Sequence, residues 1–250
     1  MNLLGGVAFV NQVSFFSKNY RVTARRKGDN IIVSHSISKH SSDSNLNKLY
    51  EIPFVRGAAR VLSMILRTKA TVFLLLFIIA LEFVLDYFFL GPYLNYSFHV
   101  KHIGMVYLPD TAIFVVLILF LKVFIGKYHG AEHMVFNAYS ENKTLTLENV
   151  KKSSRVSQRC GSNLVIFIIL FNSLFSIVLP FEISMLVSLS LGYEIFKSKR
   201  KTAKRFSQLF YKIGGLLQYL LFTSKPNNDQ LEVALAAFNK LLALENKRIE

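Results

Sequence analysis

The sequence predicts a mainly α-helical integral membrane protein with about four transmembrane helices, a small N-terminal β-hairpin and amphipathic cytoplasmic helices. Three observations lead to this fold class. Hydrophobic residues make up 52% of the chain and the mean hydropathy is +0.37, which is too apolar for an ordinary soluble protein. Leu, Ile, Val and Phe are gathered into long runs, and Lys and Arg lie between these runs. The net charge of +15 is therefore interpreted as a membrane-topology signal, and no nucleic-acid partner is expected.

The chain divides into three predicted regions. Residues 1–69 form a basic N-terminal region with a β-hairpin and an interfacial helix. Residues 70–196 form a transmembrane domain that includes a polar connection at 126–162. Residues 197–250 contain a basic segment followed by C-terminal helices.

The N-terminal region is predicted to contain the hairpin. Residues 20–25 and 31–35 flank a turn at 27–30 that contains Gly28, a pattern typical of two paired strands. From Pro53 onward, apolar residues recur at helical spacing with arginines on the other faces. This pattern predicts an interfacial helix.

The predicted membrane spans are four apolar runs. The first, 70–90, has the length of roughly 20 residues that a bilayer requires. The second, 111–125, is short unless it takes up neighbouring residues. The third and fourth, 164–179 and 183–196, are joined by a tight turn and form either a hairpin of spans or a partly re-entrant pair.

The C-terminal region is predicted to be helical. An apolar helix at 206–222 follows the basic run 197–205. A last helix is predicted to begin at Asp229, because Glu232 stands three residues further on in a capping-box arrangement. In the polar connection, Thr146 is the predicted N-cap of a short helix.

The distribution of Lys and Arg predicts the topology. Basic residues are frequent in 1–69, 126–162 and 197–250, whereas the loop 91–110 contains one lysine. By the positive-inside rule, this is a multi-pass protein of the cell (inner or plasma) membrane with both termini and the 126–162 connection in the cytoplasm. Membrane lipids are the expected partners. The one cysteine, Cys160, excludes an internal disulfide and suits a reducing compartment.

The main candidate site is the stretch from His129 to His133, which has the pattern H-x-x-E-H. If the helix continues through Gly126, the two histidines lie four apart on one face. In inverzincin metalloproteases this pattern supplies two metal ligands, and the glutamate is the general base. Glu132 is therefore the candidate catalytic residue.

A catalytic metal site needs about three protein ligands, so a third is sought outside this stretch. Cys160 is the preferred candidate, because its position between an arginine and a helix start favours the thiolate. Glu194 is the next candidate, and Glu148 is a further one. A divalent metal ion is the expected cofactor: zinc fits the set with cysteine, and manganese or iron would compete at a site with oxygen ligands.

A structural interpretation of the same residues is also open. The histidines could lie at an interface and form hydrogen bonds to lipid headgroups or to Glu148. Glu132 could pair with Arg155 or Arg159, and Cys160 could be a small buried apolar residue. Arg155 and Arg159 are expected to hold carboxylates or lipid phosphates and not to act in catalysis.

The sequence also resembles a known family, the YqhQ-like bacterial membrane proteins of unknown function, which are commonly labelled metal-dependent enzymes. The resemblance covers nearly the whole chain. It rests on the segments Gly5-Gly6, Pro53-Phe-Val-Arg-Gly57, Tyr128-His-Gly-Ala-Glu-His133, Leu147-Glu-Asn-Val150, Ser154-Arg155, Arg159-Cys-Gly161, Gly192-Tyr-Glu194 and Gln230-Leu-Glu-Val-Ala234.

The chain departs from that family's pattern at several positions. Asn11 stands where the family has a glutamate, and Met134 stands where it tends to have a lysine. The family's Pro-Arg-Cys-Gly-Thr stretch begins here with Gln158. If the N-terminal carboxylate takes part in chemistry, this chain is a weakened or inactive member.

Two functional hypotheses follow. The first is a metal-dependent membrane enzyme, a hydrolase in class, with its site at the cytoplasmic face. The alternative is a non-enzymatic membrane scaffold, or a lipid-binding or assembly protein, in the form of a degenerate family member.

Overall fold

The computed structural model describes residues 3–37, 49–66, 108–198 and 201–247, together with the isolated residues 72, 76 and 80. The chain forms two compact units. One unit contains residues 1–43 and 119–250, and the other contains 44–118.

The N-terminal strands form one antiparallel sheet in which each strand pairs with its neighbour in sequence. The strands are β1 (Leu3–Phe9), β2 (Gln12–Ser17), β3 (Tyr20–Lys27) and β4 (Asn30–Ile37). The predicted hairpin is confirmed as β3 and β4, which are joined at Gly28 with a φ of 60°. The pair β1 and β2 was not predicted. Its turn contains Asn11, also with a φ of 60°, a conformation that asparagine tolerates better than most residues.

The helices follow the sheet along the chain. They are α1 (Val55–Leu66), α2 (Leu108–Ser140), α3 (Leu147–Lys151), α4 (Gly161–Phe175), α5 (Phe181–Lys197), α6 (Lys201–Leu217), a π-helix (Gln218–Phe222) and α7 (Asn228–Asn246). Helix α1 lies in the unit of residues 44–118, and α3 to α7 lie in the other unit. Helix α2 continues through Gly126, so His129 and His133 do lie on one helix.

Two helix starts test the capping predictions. Thr146 is the N-cap of α3, and its side chain accepts a hydrogen bond from the Asn149 N–H at 3.3 Å, as predicted. The predicted cap of the last helix is wrong by two residues. Asn227 is the N-cap of α7, and its own N–H donates to the Gln230 side chain at 2.9 Å. Asparagine is as favourable at the N-cap as aspartate, so the helix begins after Asn227 and not after Asp229.

The prediction of an integral membrane fold is wrong. None of the helices in the described ranges is both long and apolar enough to cross a membrane. Helices α4 and α5 are apolar but contain only 15 and 17 residues, fewer than the roughly 20 that a span requires. In α2, the apolar run 111–125 leads directly into buried polar residues. The first predicted span, 70–90, falls outside the described residues apart from three isolated positions.

The predicted location is wrong for the same reason. A multi-pass protein of the cell membrane with both termini cytoplasmic requires several spans, and the described helices provide none. The sequence was misleading because long apolar runs are also produced by helices that pack on one another. The contact between α4 and α5 is of this kind.

The core that supports the site joins the sheet to α2 and α7. Phe15 of β2 and Val22 of β3 are fully buried in this core. The Phe15 ring meets Phe238 of α7 edge-on, with ring centroids 4.8 Å apart. Tyr139 of α2 packs on the same Phe238 ring at 5.0 Å. The last two turns of α2 are thereby held by both the sheet and α7.

Candidate metal centre

The C-terminal half of α2 carries the H-x-x-E-H stretch into the protein interior. His133 and Glu132 are buried, with exposures of 2% and 6%. The His129 and His133 rings lie next to each other, with centroids 4.4 Å apart. This is the separation expected of side chains four residues apart on one helical face.

The orientation of His129 is fixed by a backbone carbonyl. Its Nδ1 lies 3.1 Å from the Phe222 carbonyl oxygen, at the end of the π-helix. A carbonyl can only accept a hydrogen bond, so in the neutral ring Nδ1 carries the proton and Nε2 presents a lone pair. The His129 Nε2 lies 3.4 Å from the Sγ of Cys160.

His133 is oriented in the same way by a different segment. Its Nδ1 lies 2.8 Å from the Arg155 carbonyl oxygen. Its Nε2 is buried, has no hydrogen-bond partner among the described residues and lies 3.5 Å from a carboxylate oxygen of Glu132. A buried nitrogen lone pair without a donor is costly. The atom therefore marks a place where a ligand is expected.

Cys160 reaches the two histidines from the start of α4, where it is the N-cap residue. Its Sγ accepts hydrogen bonds from the Ser162 N–H at 3.4 Å and from the Ser162 hydroxyl at 3.1 Å. Donors at a helix N-terminus stabilise negative charge, and the thiolate is the form of cysteine that binds metals. The start of α4 therefore places a potential sulfur ligand next to the His129 ring.

The three potential ligand atoms form one group. Atoms of His129, His133 and Cys160 all lie within 4.8 Å of one another. Around a tetrahedral zinc ion, nitrogen and sulfur ligands are roughly 3.3–3.6 Å apart. The 3.4 Å between His129 Nε2 and Cys160 Sγ matches this separation. In both histidines the Nδ1–H also donates a hydrogen bond to a backbone carbonyl, as the second ring nitrogen of metal-binding histidines does.

Glu132 lies beside this group in a closed environment. Burial raises the pKa of its carboxyl from the ordinary 4.5 to about 7, and the nearby His129 opposes the rise. The carboxylate packs against Gly6 of β1, where any Cβ would overlap its atoms. The N-terminal sheet therefore contributes a wall of the site, and a side chain larger than glycine at position 6 would displace the Glu132 carboxylate.

The other predicted site residues occupy different places. Glu148 is an exposed residue in the first turn of α3, and Glu194 lies on α5. Neither belongs to the group of ligand atoms found in the described ranges. Arg155 stacks on the Tyr219 ring at 3.9 Å, and Arg159 lies 5.3 Å from the Phe136 ring. The Glu132 carboxylate lies within ion-pair distance of His133 and does not pair with Arg155 or Arg159.

The sequence analysis missed the residues that hold the two orienting carbonyls in place. Gln218 is fully buried, and its side chain pairs with the backbone of Ser157 through two hydrogen bonds of 2.9 and 3.0 Å. This pair ties the π-helix that ends at Phe222 to the loop that contains Arg155. A single polar residue within an apolar segment produces no periodic pattern in the sequence. The role of Gln218 is therefore visible only from its burial in the structure.

Helix α2 also has a close approach that the sequence did not indicate. The Gly126 carbonyl accepts a hydrogen bond from the Ser224 N–H at 2.9 Å. One turn later, a Cβ at Gly130 would overlap the Ser224 carbonyl oxygen. The two glycines, four residues apart, let the chain after Phe222 lie directly on α2. This contact brings the Phe222 carbonyl within reach of His129.

A shallow cavity of about 290 Å³ lies near these residues. Its lining includes Phe136 and Asn137, about one turn beyond His133 on α2, and Arg159, the neighbour of Cys160. The cavity is lined by both polar and apolar side chains, as ligand sites commonly are.

Comparisons with known proteins agree with the resemblance seen in the sequence. The family model described as "Protein of unknown function (DUF1385)" matches residues 55–244. The chain is similar to the "Uncharacterized protein YqhQ" of Bacillus subtilis (strain 168), with 28% identity over 297 aligned residues. That alignment covers 96% of this chain and 92% of the relative. No solved structure matches the chain.

Proposed function

The chain belongs to the DUF1385 family of proteins of unknown function, and from its site we propose that it is a metal-dependent hydrolase. His129, His133 and Cys160 hold the metal ion, and Glu132 is the general base. The observation that carries the proposal is the convergence of ligand atoms of His129, His133 and Cys160 within 4.8 Å of one another, with both Nδ1 atoms already bound to backbone carbonyls.

The ligand set favours zinc. Two neutral imidazoles and a thiolate are soft or borderline ligands, which suit zinc better than magnesium, calcium or manganese. Three protein ligands leave one tetrahedral position open, which is the arrangement of catalytic zinc sites. An ion held there would act as a Lewis acid on the bond to be cleaved.

Glu132 suits the proton transfers of a hydrolysis. A carboxyl with a pKa of about 7 is present in both protonation states near neutral pH, which is the optimum for a residue that must both accept and donate. Glu132 takes a proton from the attacking water as the new bond to the substrate forms. It returns that proton to the leaving group as an ester, amide or phosphate-type bond breaks.

Metal analysis of the purified protein tests the proposal directly. We expect about one transition-metal ion per chain in the wild type, and a large loss of metal in His129→Ala and His133→Ala. His35→Ala is the matched control, because His35 is an exposed histidine of β4, and this variant should retain its metal. A wild-type protein without bound metal, or a His133→Ala variant with a full complement, would overturn the proposal.

Hydrolysis itself is tested with the same variants. Chromogenic ester, amide and phosphate substrates are offered to the wild type and to Glu132→Gln. The variant should keep its metal and lose most of its turnover, because general-base catalysis contributes typically 10²–10⁴-fold. Equal turnover in both proteins would remove Glu132 from the mechanism, and no turnover in the wild type would leave only metal binding.

A further inference from the structure

We infer that strand β4 is a dimerisation edge, to which a second copy of the chain adds its own β4 in antiparallel orientation around a two-fold axis at Val33. Among the described residues, β4 pairs with β3 alone, so the other side of the strand is an open sheet edge. Its apolar side chains are uncovered, since Ile32 is 54% and Ile37 74% exposed. This edge lies across the sheet from β1, which carries the Gly6 wall of the metal site.

The pairing of β3 shows which backbone groups of β4 are free. The Arg26 N–H donates to the Asn11 carbonyl oxygen at 3.0 Å, so Arg26 turns its backbone groups towards β2. Both backbone groups of a residue in an antiparallel ladder point to the same side, and successive residues alternate. The odd-numbered residues of β3 therefore bond to β4, and the register Thr23↔Ser34 shows that they bond to its even-numbered residues. The residues of β4 whose N–H and C=O point outwards are thus Ile31, Val33, His35 and Ile37.

These free groups are complementary to those of a second β4. With the two-fold axis at Val33, this residue stands opposite its own copy, and Ile31 stands opposite the partner subunit's His35. All residues in these pairs are odd-numbered, so each pair can exchange both N–H···O bonds. An axis at Val33 pairs residues 30–36 of β4, which is more of the strand than an axis at any other odd-numbered residue would pair.

Strand β4 lacks the features that prevent edge strands from pairing. Natural edge strands are protected by charged residues, prolines, bulges or short length. The 8 residues of β4 include no Lys, Arg, Asp, Glu or Pro, and the register with β3 is continuous. The other edge strand, β1, has an irregular register between Leu3 and Gly5. Addition of β4 to β1 of the next copy, which would build an open chain, is therefore less favourable than a closed pair.

The charge of the chain favours a second copy at this edge over an acidic partner. A partner that recognises the net charge of +15 would be bound through basic side chains, and β4 has none. The basic residues beside β4 lie on β3, as Arg21, Arg25 and Lys27. In the dimer the two β3 strands are three strand spacings apart, about 14 Å. This exceeds the Debye length of about 8 Å, so repulsion between exposed charges is largely screened.

A proline at Val33 tests the edge without breaking the sheet. Because the Val33 N–H points away from β3, Val33→Pro removes donors from the dimer interface and none from the ladder between β3 and β4. Sedimentation equilibrium should show a dimer for the wild type at micromolar concentration. The dissociation constant of the dimer should rise about tenfold or more in Val33→Pro, because the two-fold axis doubles the loss of a hydrogen bond.

Charge variants test the symmetric register. Val33→Lys and Val33→Glu each place two like charges directly opposite at the axis, which is destabilising, so each variant should be a monomer where the wild type is a dimer. An equal mixture of the two should form a dimer again, because opposite charges then meet. A variant that had lost its fold would not recover on mixing. Val10→Lys is the matched control, since Val10 is 48% exposed in the turn between β1 and β2, and it should remain dimeric.

Amide hydrogen exchange measures the register directly. The even-numbered N–H groups of β4 bond to β3, so they should be protected from exchange at every protein concentration. The odd-numbered N–H groups from Ile31 to His35 should be protected only at concentrations at which the dimer forms. This alternation would distinguish pairing through the strand edge from a contact through one face of the sheet.

Three results would overturn the proposal. The first is a wild-type protein that stays monomeric up to about 100 µM, which would leave the edge without measurable self-affinity. The second is a dimer whose dissociation constant is the same in Val33→Pro and in the wild type. The third is a mixture of Val33→Lys and Val33→Glu that remains monomeric.

Discussion

His129 and Cys160 are 31 positions apart in the chain, and yet His129 Nε2 lies 3.4 Å from Cys160 Sγ. Two independent structural features bring the two side chains together. The Phe222 carbonyl turns the imidazole so that Nε2 faces the sulfur, and the start of α4 presents the sulfur as its N-cap. The pair is therefore held from both sides before any ion is bound.

Replacing the sulfur should change both the affinity and the spectrum of a bound metal. In the cobalt-substituted protein, we expect a thiolate-to-metal charge-transfer band that disappears in Cys160→Ser. The affinity should fall by more than the 10- to 100-fold that is typical when a residue behind a ligand is removed. The comparison variant is Ser162→Ala, which removes only a hydrogen bond to Sγ and should keep the band. A band that persists in Cys160→Ser would exclude the cysteine as a ligand.

The buried Glu132 should make the metal-free protein less stable as the pH rises. Burial raises its pKa to about 7, from 4.5. Between these two values the folded state keeps a proton that the unfolded chain has lost, so the free energy of unfolding falls with increasing pH. The full effect is about 3 kcal/mol above pH 7, at 1.36 kcal/mol per pKa unit. Urea unfolding of the chelator-treated protein at several pH values measures it.

The variant Glu132→Gln isolates this contribution. Glutamine cannot ionise, so the variant should lack the fall in stability between about pH 4.5 and pH 7 and should be the more stable protein at pH 8. Glu141→Gln, at a carboxylate that is 49% exposed, should follow the wild-type curve. Parallel curves for wild type and Glu132→Gln would show that the folded protein does not raise this pKa.

Part of the site could be predicted from the sequence because it depends on local spacing. The four-residue interval between His129 and His133 fixes their common face once the helix is continuous, and the DUF1385 membership agrees with the resemblance seen at these residues. Cys160 was one candidate among three for the third position, because no sequence pattern specifies which distant loop folds back onto the helix.

The rest of the fold was harder to predict for identifiable physical reasons. Strand β1 lacks a clear apolar–polar alternation, and its turn contains Asn11 where a glycine would have signalled a hairpin. The apolar runs of α4 and α5 gave a strong hydropathy signal, but hydropathy reports composition, not helix length. The helices end after 15 and 17 residues, so the prediction of membrane spans was wrong.

A methyl group at position 6 should disturb the site from the sheet side. In Gly6→Ala the new Cβ overlaps the Glu132 carboxylate, and overpacking of this kind typically costs 1–3 kcal/mol. We also expect a displaced Glu132 and a large loss of hydrolytic turnover, with metal content retained. Gly161→Ala is the control, because a Cβ there meets no atom of the described residues within 4 Å. A Gly6→Ala variant with normal stability and turnover would show that β1 does not confine Glu132.

Gln218 should affect metal binding although it touches neither histidine. Its side chain joins Ser157 to the π-helix, and these two segments supply the carbonyls that orient His129 and His133. In Gln218→Ala the buried Ser157 N–H loses its partner, which costs about 1–3 kcal/mol. Because both imidazoles are then less well oriented, cobalt affinity should fall about 10- to 100-fold.

The measurement must distinguish a loss of imidazole orientation at His129 and His133 from a general loss of protein stability. Gln208→Ala is the matched control, since Gln208 is an exposed glutamine on α6, and it should change neither stability nor affinity. Cobalt titrations and the ligand-field spectrum are recorded well below the unfolding temperature of each variant, so that the folded population is the same. A Gln218→Ala protein that is less stable but binds cobalt with unchanged affinity and spectrum would limit Gln218 to a structural role. A weakened affinity with an altered spectrum in the folded protein would establish that the buried pair with Ser157 positions the metal ligands.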